Sequence, residues 1–143
     1  MIAFPNAKIN LGLQVTEKRK DGFHEIVSIL YPINSFYDCL EIGSAKNQVA
    51  DIYEYGYPID AGSENIVKKI VDWAVSEFSL EGLDIHLIKR IPSGSGLGGG
   101  SSNAAFALKM INDFYKLDLS KKQMEAIVSK FGSDCPFFIK SKP

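Results

Sequence analysis

Cysteine and histidine are scarce in this chain. Cys39 and Cys135 stand far apart and in no C-x-x-C pair, and His24 and His86 are the only histidines. Without the paired spacing of zinc ligands, a zinc cluster is not expected. Unpaired thiols fit a reducing setting, so a cytoplasmic protein is expected. An excess of one charge is missing too. Sixteen Lys and Arg face seventeen Asp and Glu, a net charge of −1, which argues against general affinity for nucleic acid or an anionic membrane. No apolar run approaches the length of a transmembrane helix. Met1 to Asn10 lacks a basic start followed by an apolar run, so a signal peptide is not expected. Repeats and low-complexity tracts are also missing. What is present is ordinary for a folded protein: 45% hydrophobic and 23% charged residues over 143 positions, enough for one domain with its own core. The twelve glycines are unevenly spread, five of them lying between Gly94 and Gly100.

Hydrophobic spacing divides the chain into two parts. Ile9, Leu11, Leu13 and Val15 alternate with polar residues, which predicts a strand with one buried face. Lys20-Asp21-Gly22 reads as a turn. Ile26 to Ile33 is a second β-rich stretch, with Pro32 at an edge or strand end. Asp38 to Ile42 alternates again, and Val49 to Tyr55 predicts another strand. Strands in succession without intervening helices suggest antiparallel pairing. From Glu64 to Phe78 the period becomes helical through Ile66, Val67, Ile70, Val71, Ala74 and Phe78, with Ser63 as N-cap. Leu83, Ile85 and Leu87 alternate as a strand. Ala104, Ala105, Leu108, Ile111 and Tyr115 mark an amphipathic helix. Ser120 and Gln123 form a capping-box pattern ahead of Met124, Ile127, Val128 and Phe131, with Gly132 as the C-terminal stop. Together these predict an α+β fold, a mainly antiparallel sheet with helices on one face.

Between the Leu83–Leu87 strand and the next helix lie Pro92, Ser93, Gly94, Ser95, Gly96, Leu97, Gly98, Gly99, Gly100, Ser101 and Ser102. Glycines let backbone N–H groups converge without side chains in the way. A helix N-terminus behind them adds free N–H groups and partial positive charge. The combination points to a phosphate or other anion; a flexible glycine turn is the plainer alternative. A P-loop is excluded, because Gly100 stands where its lysine belongs. Gly94, Gly96 and Gly99 satisfy G-x-G-x-x-G, but the acidic residue at the right distance, Asp118, sits between two helices rather than at the end of a parallel strand. A protein-kinase loop would need valine at Ser101.

The loop, preceded by Lys89-Arg90-Ile91-Pro92 and followed by Asn103-Ala104-Ala105, resembles the phosphate loop of the GHMP kinases. Three further segments carry the resemblance: Ala7-Lys8-Ile9-Asn10-Leu11-Gly12-Leu13, Lys18-Arg19-Lys20-Asp21-Gly22-Phe23-His24-Glu25-Ile26, and Gly132-Ser133-Asp134-Cys135-Pro136-Phe137-Phe138. The last two point within the family to the branch whose substrate is 4-diphosphocytidyl-2-C-methyl-D-erythritol. The resemblance implies a lobe like domain 2 of ribosomal protein S5 and ATP along the glycine loop. It implies transfer of a phosphoryl group to the tertiary 2-hydroxyl of that cytidine diphosphate conjugate, in non-mevalonate isoprenoid precursor synthesis. Members of this branch are about twice as long, so residues 1–143 are expected to be the N-terminal, ATP-binding lobe without its C-terminal partner, weakly active or inactive alone. Two other readings stay open: a sibling kinase for another small alcohol, and a nucleotide-phosphate-binding lobe without turnover.

Carried onto individual residues, the resemblance makes Asp134 the base for the hydroxyl proton. Lys8 becomes the ammonium that keeps that carboxylate ionised and stabilises alkoxide charge. By themselves, Asp134 would be a turn residue and Lys8 a solvated surface lysine. Phe23 and His24 are assigned to the cytidine, by stacking and by hydrogen bonding to the base edge; the family more often has tyrosine at position 23. Asn10, on the face of Lys8, is assigned to substrate. Lys89 either lines the nucleotide site or is a strand-end surface charge. Asn65 resembles a position near adenine, though a helix-start role suits it better. Mg²⁺ is expected as the counter-ion of ATP, with Ser102 the one candidate ligand and no carboxylate cluster forming a metal cage.

Overall fold

The computed structural model describes residues 1–18, 24–45, 50–58 and 65–143. In chain order the elements are β1 (Ile2–Ala3), β2 (Asn6–Lys18), β3 (His24–Tyr37), β4 (Cys39–Ser44), β5 (Asp51–Gly56), α1 (Ile66–Phe78), β6 (Leu83–Lys89), α2 (Gly99–Tyr115), α3 (Lys121–Val128) and α4 (Cys135–Lys140). One sheet has the order β1-β4-β6-β5, and β2 and β3 form a separate two-stranded ribbon.

The four-stranded sheet is covered on one side, as the spacing predicts. Leu40 pairs with Leu87 and Ile42 with Ile85. These four side chains are fully buried against Val67, Ile70, Val71 and Ala74 of α1 and Ala104, Ala105, Leu108 and Ile111 of α2. The opposite face carries Glu41 beside His86 and Tyr53 beside His86, with Tyr53 and Tyr55 exposed. Burial of the inner row at about 25 cal/mol per Å² is what holds the helices to the sheet. One pairing departs from the antiparallel expectation: β5 runs parallel to β6. The chain passes through α1 between them, and such a crossover returns the second strand in the direction of the first.

The ribbon also departs from expectation. Leu11, Leu13 and Val15 are 44%, 56% and 57% exposed, and Val27, Ile29 and Tyr31 are exposed beside them. Their alternation is that of a strand, but among the described residues no helix backs this part of the ribbon. Only its base is inserted into the body, where Asn6, Ala7 and Lys8 are buried. Pro32 lies opposite Lys8. The N–H of Lys8 points out of the ribbon and donates to the carbonyl of Leu97 at 2.9 Å.

Helix ends follow local chemistry. Ser63 and the Lys20-Asp21-Gly22 turn lie outside the described residues. The cap of α1 is Asn65, whose side chain accepts from the N–H of Val67 at 2.8 Å. The Ser120/Gln123 capping box is present in full. Gly132 is not the stop of α3. That helix ends at Val128 with Ser129 as cap, and Lys130 and Phe131 continue as turns bonded to Ile127 and Val128. Tight i→i−3 bonds absorb the orphan carbonyls, so no left-handed glycine is needed. The apolar stretch from Pro136 to Ile139 is the short helix α4, with proline in its first turn.

Candidate functional site

The glycine segment is half loop and half helix. Gly94, Gly96 and Gly98 have positive φ, and α2 begins at Gly99 with Gly98 as a cap that lends no side chain. The first main-chain bond of the helix runs from Ser102 to the carbonyl of Gly98 at 2.9 Å. The N–H groups of Gly99, Gly100 and Ser101 therefore have no acceptor within the helix, the condition for anion binding. A side chain is excluded at the junction from below. A Cβ on Gly98 would stand 2.9 Å from Cζ of Phe138 and 3.0 Å from Cγ of Lys8, and one on Gly99 would stand 2.8 Å from Cγ2 of Ile91. The Ser102 hydroxyl and the Asn103 carbonyl oxygen are buried without a partner among the described residues. Native proteins rarely leave such groups unpaired unless something polar completes them.

Lys8 joins this loop to the carboxylate expected beside it. While its main chain holds Leu97, its ammonium lies 3.1 Å from Oδ2 of Asp134 and donates to Oδ1 of Asn10 at 2.5 Å. Asn10 in turn donates to the hydroxyl of Ser28 at 3.2 Å. The Lys8 side chain is 6% exposed and that of Asp134 is 35% exposed, so the lysine is a buried residue and not a solvated surface one. The carboxylate is open to solvent from a turn that precedes α4, where it makes no cap bond. Next to it the Cys135 thiol is held above its ordinary pKa by burial; a hydrogen bond from Ser101 opposes this, and the charge of Asp134 adds to it.

Lys89 is not a strand-end surface charge. It is 4% exposed, and its ammonium is paired with the fully buried carboxylate of Asp38. It still borders a cleft of about 480 Å³ lined by Phe36, Gly56, Tyr57, Arg90 and Pro92, next to the glycine loop. Asp38 itself had no signal beyond its place in a strand pattern. Its partners Arg90, Ile91 and Asn103 are 52 to 65 positions away, beyond the reach of any local spacing. Phe23 lies outside the described residues. His24 begins β3 opposite Lys18, at the far end of the ribbon from the Lys8–Pro32 pair, so the backbone does not bring it beside Asp134. Asn65 is committed to its cap. Among the described residues no group of three or more His, Cys, Asp or Glu could hold a metal, and no helix is long and apolar enough to cross a membrane.

The geometry thus joins an anion cradle, a buried ammonium and an open carboxylate. Residues 65–142 match the model described as the GHMP kinases N terminal domain. The chain is 49% identical over 144 residues to 4-diphosphocytidyl-2-C-methyl-D-erythritol kinase of Porphyromonas gingivalis, a match covering 100% of this chain and 52% of that protein. The same figures hold for the protein of that name from Parabacteroides distasonis. The chain spans about half the length of the curated relatives it matches. A solved structure of 4-(cytidine 5'-diphospho)-2C-methyl-D-erythritol kinase superposes with a TM-score of 0.78 at 32% identity, over 97% of this chain and 48% of that one. A mevalonate kinase, 16% identical with a TM-score of 0.67, shares the fold.

Proposed function

The chain belongs to the GHMP kinases through their N-terminal domain, and on that premise we propose that it forms the ATP-binding half of a kinase acting on 4-diphosphocytidyl-2-C-methyl-D-erythritol. The reaction is transfer of the γ-phosphoryl group to the 2-hydroxyl, a step of non-mevalonate isoprenoid synthesis, in the cytoplasm. The observation that carries this reading is Lys8. One residue binds Leu97 of the glycine loop through its main chain and Asp134 through its ammonium, so phosphate cradle and carboxylate are held at a fixed separation.

Phosphoryl transfer asks for positioning, charge neutralisation and a destination for the hydroxyl proton. The free N–H groups of Gly99, Gly100 and Ser101 supply the first two on the phosphate side. The nucleoside end has the adjoining cleft, where Phe36 and Tyr57 offer apolar surface. Asp134 orients the acceptor hydroxyl and takes its proton. Lys8, desolvated beside it, pairs with the carboxylate and meets negative charge as it develops on the oxygen. The anion cradle fits ATP by its orphan amides. Mg²⁺ would ride on the phosphates as counter-ion, with the buried, unpaired Ser102 hydroxyl the group able to reach it. Asn10, Phe23 and His24 are assigned to the substrate, the last two to its cytosine.

Because the chain matches only about half of its relatives' length, it is expected to turn over weakly or not at all by itself. The test joins it in frame to the remaining half of the Porphyromonas gingivalis protein and follows ATP consumption. Lys8→Ala and Asp134→Ala should each lower kcat by about 10²–10⁴-fold with the fold intact. Near-normal kcat in either variant removes that residue from the mechanism. Activity on galactose, homoserine or mevalonate but not on the cytidyl substrate would replace this reading with that of a sibling kinase.

A further inference from the structure

The structure assigns Asp38 a role that neither its sequence context nor the fold alone announces. We infer that it is a positioning residue for the phosphate loop, fastening both ends of the loop to one carboxylate. This rests on the glycine loop being the nucleotide site.

Asp38 is 0% exposed, at the junction of β3 and β4, and its own N–H donates to the carbonyl of Pro5 at 3.0 Å, just before β2. Oδ1 accepts from the N–H groups of Arg90 and Ile91 at 2.6 and 2.7 Å, where the chain leaves β6 and enters the loop. Oδ2 accepts from the Lys89 ammonium and from Nδ2 of Asn103 at 2.9 Å, in the second turn of α2. A single buried carboxylate thus holds the entrance of the loop, its exit and the lysine beneath its first helical residue. Between those fastenings support is thin. A Cβ on Gly94 or Gly96 would meet nothing within 4 Å, and the other hydrogen bonds are Ser93 with Pro58 at a long 3.5 Å, Ser95 with Pro92 and Leu97, and Lys8 with Leu97. A segment clamped at its ends and open in the middle takes its shape from the spacing of the clamps.

Charge makes the inference testable by sign. A carboxylate near a phosphate site repels the ligand, and here Lys89 cancels it. If Asp38 acted only through its field, Asp38→Asn would tighten ATP binding. If it positions the loop, the same change weakens binding, because an amide donor then faces the donors of Lys89 and Asn103. If it served stability alone, the melting temperature would fall while the folded protein bound ATP as before.

The experiment measures ATP affinity of this chain by calorimetry, and hydrogen exchange of the Gly94–Ser101 amides without ligand, in the wild type, Asp38→Asn and Asn103→Ala. Asn103→Ala alters no charge and decides the matter should Asp38→Asn not fold. The expected result is a folded Asn103→Ala protein with about tenfold weaker ATP binding, as for one lost hydrogen bond to a charged group, and faster exchange across the loop. Unchanged ATP affinity and exchange in folded Asn103→Ala, or tighter binding by Asp38→Asn, overturns the inference. A wild-type chain that binds no ATP overturns the nucleotide reading instead, and loop exchange in the variants then decides for or against Asp38 by itself.

Discussion

Gly98 shows how one residue can be fixed from two directions. Its φ of +73° is costly for an L-residue, and a Cβ there would press on Phe138 and Lys8 at about 3 Å. Gly98→Ala is therefore expected to cost about 2–4 kcal/mol. A thermal melt should show a loss of about 10 °C, with nucleotide affinity lost in the folded fraction; a melt within about 1 °C of wild type would show that the junction yields. At this scale the sequence was legible where residues adjacent in the chain act together. The flanks of Lys8 and Asp134 singled them out although neither residue type signals catalysis, and the structure brings the two within an ion pair. Lys89 could not be resolved from spacing. Burial decides between its alternatives, and burial there depends on Asp38, a partner 51 positions away.

Secondary structure was legible in proportion to how much of an element's fate is local. The buried faces of α1, α2 and β6 follow from their hydrophobic period, and the caps at Asn65 and Ser120 from short-range hydrogen bonds. Strand partners do not follow in the same way: β5 pairs in parallel because a helix intervenes, and beyond their base β2 and β3 keep the alternation of a half-buried strand while their apolar side chains stay exposed among the described residues. The β5–β6 pair offers a test of how closely these elements meet beside the cleft. A Cβ on Gly56 would stand 2.2 Å from the carbonyl oxygen of Lys89, at a φ of +85°. That carbonyl already accepts the N–H of Tyr57 at 3.0 Å. Gly56→Ala should push the end of β5 away from β6. Amide exchange at Tyr57 should rise by about tenfold or more, while α3, on the other side of the core, keeps its protection. Unchanged exchange at Tyr57 would mean that the strand end shifts without breaking the bond.

For the molecule as a whole, the ribbon carries a large share of the exposed apolar side chains among the described residues. Six apolar side chains, Leu11, Leu13, Val15, Val27, Ile29 and Tyr31, are each at least 44% exposed on it. Exposed apolar surface of this kind lowers solubility. Replacing Leu13 and Ile29 together by serine should raise the solubility limit of the chain severalfold. It should shift the melting temperature by no more than about 2 °C, because neither side chain belongs to the core. A large loss of stability would instead show that the ribbon is packed in solution.

The double engagement of Lys8 has a consequence for anyone wishing to rebuild this protein. The phosphate cradle is not a cassette. Its middle leans on the main chain of a residue whose side chain pairs with Asp134, so grafting the Pro92–Ser102 segment onto another scaffold would leave its support behind. Conversely, exchanging β2 to alter the surroundings of Asp134 would disturb the glycine loop as well. The loop and the carboxylate share a hinge pin, and variation at either one has to pass through position 8.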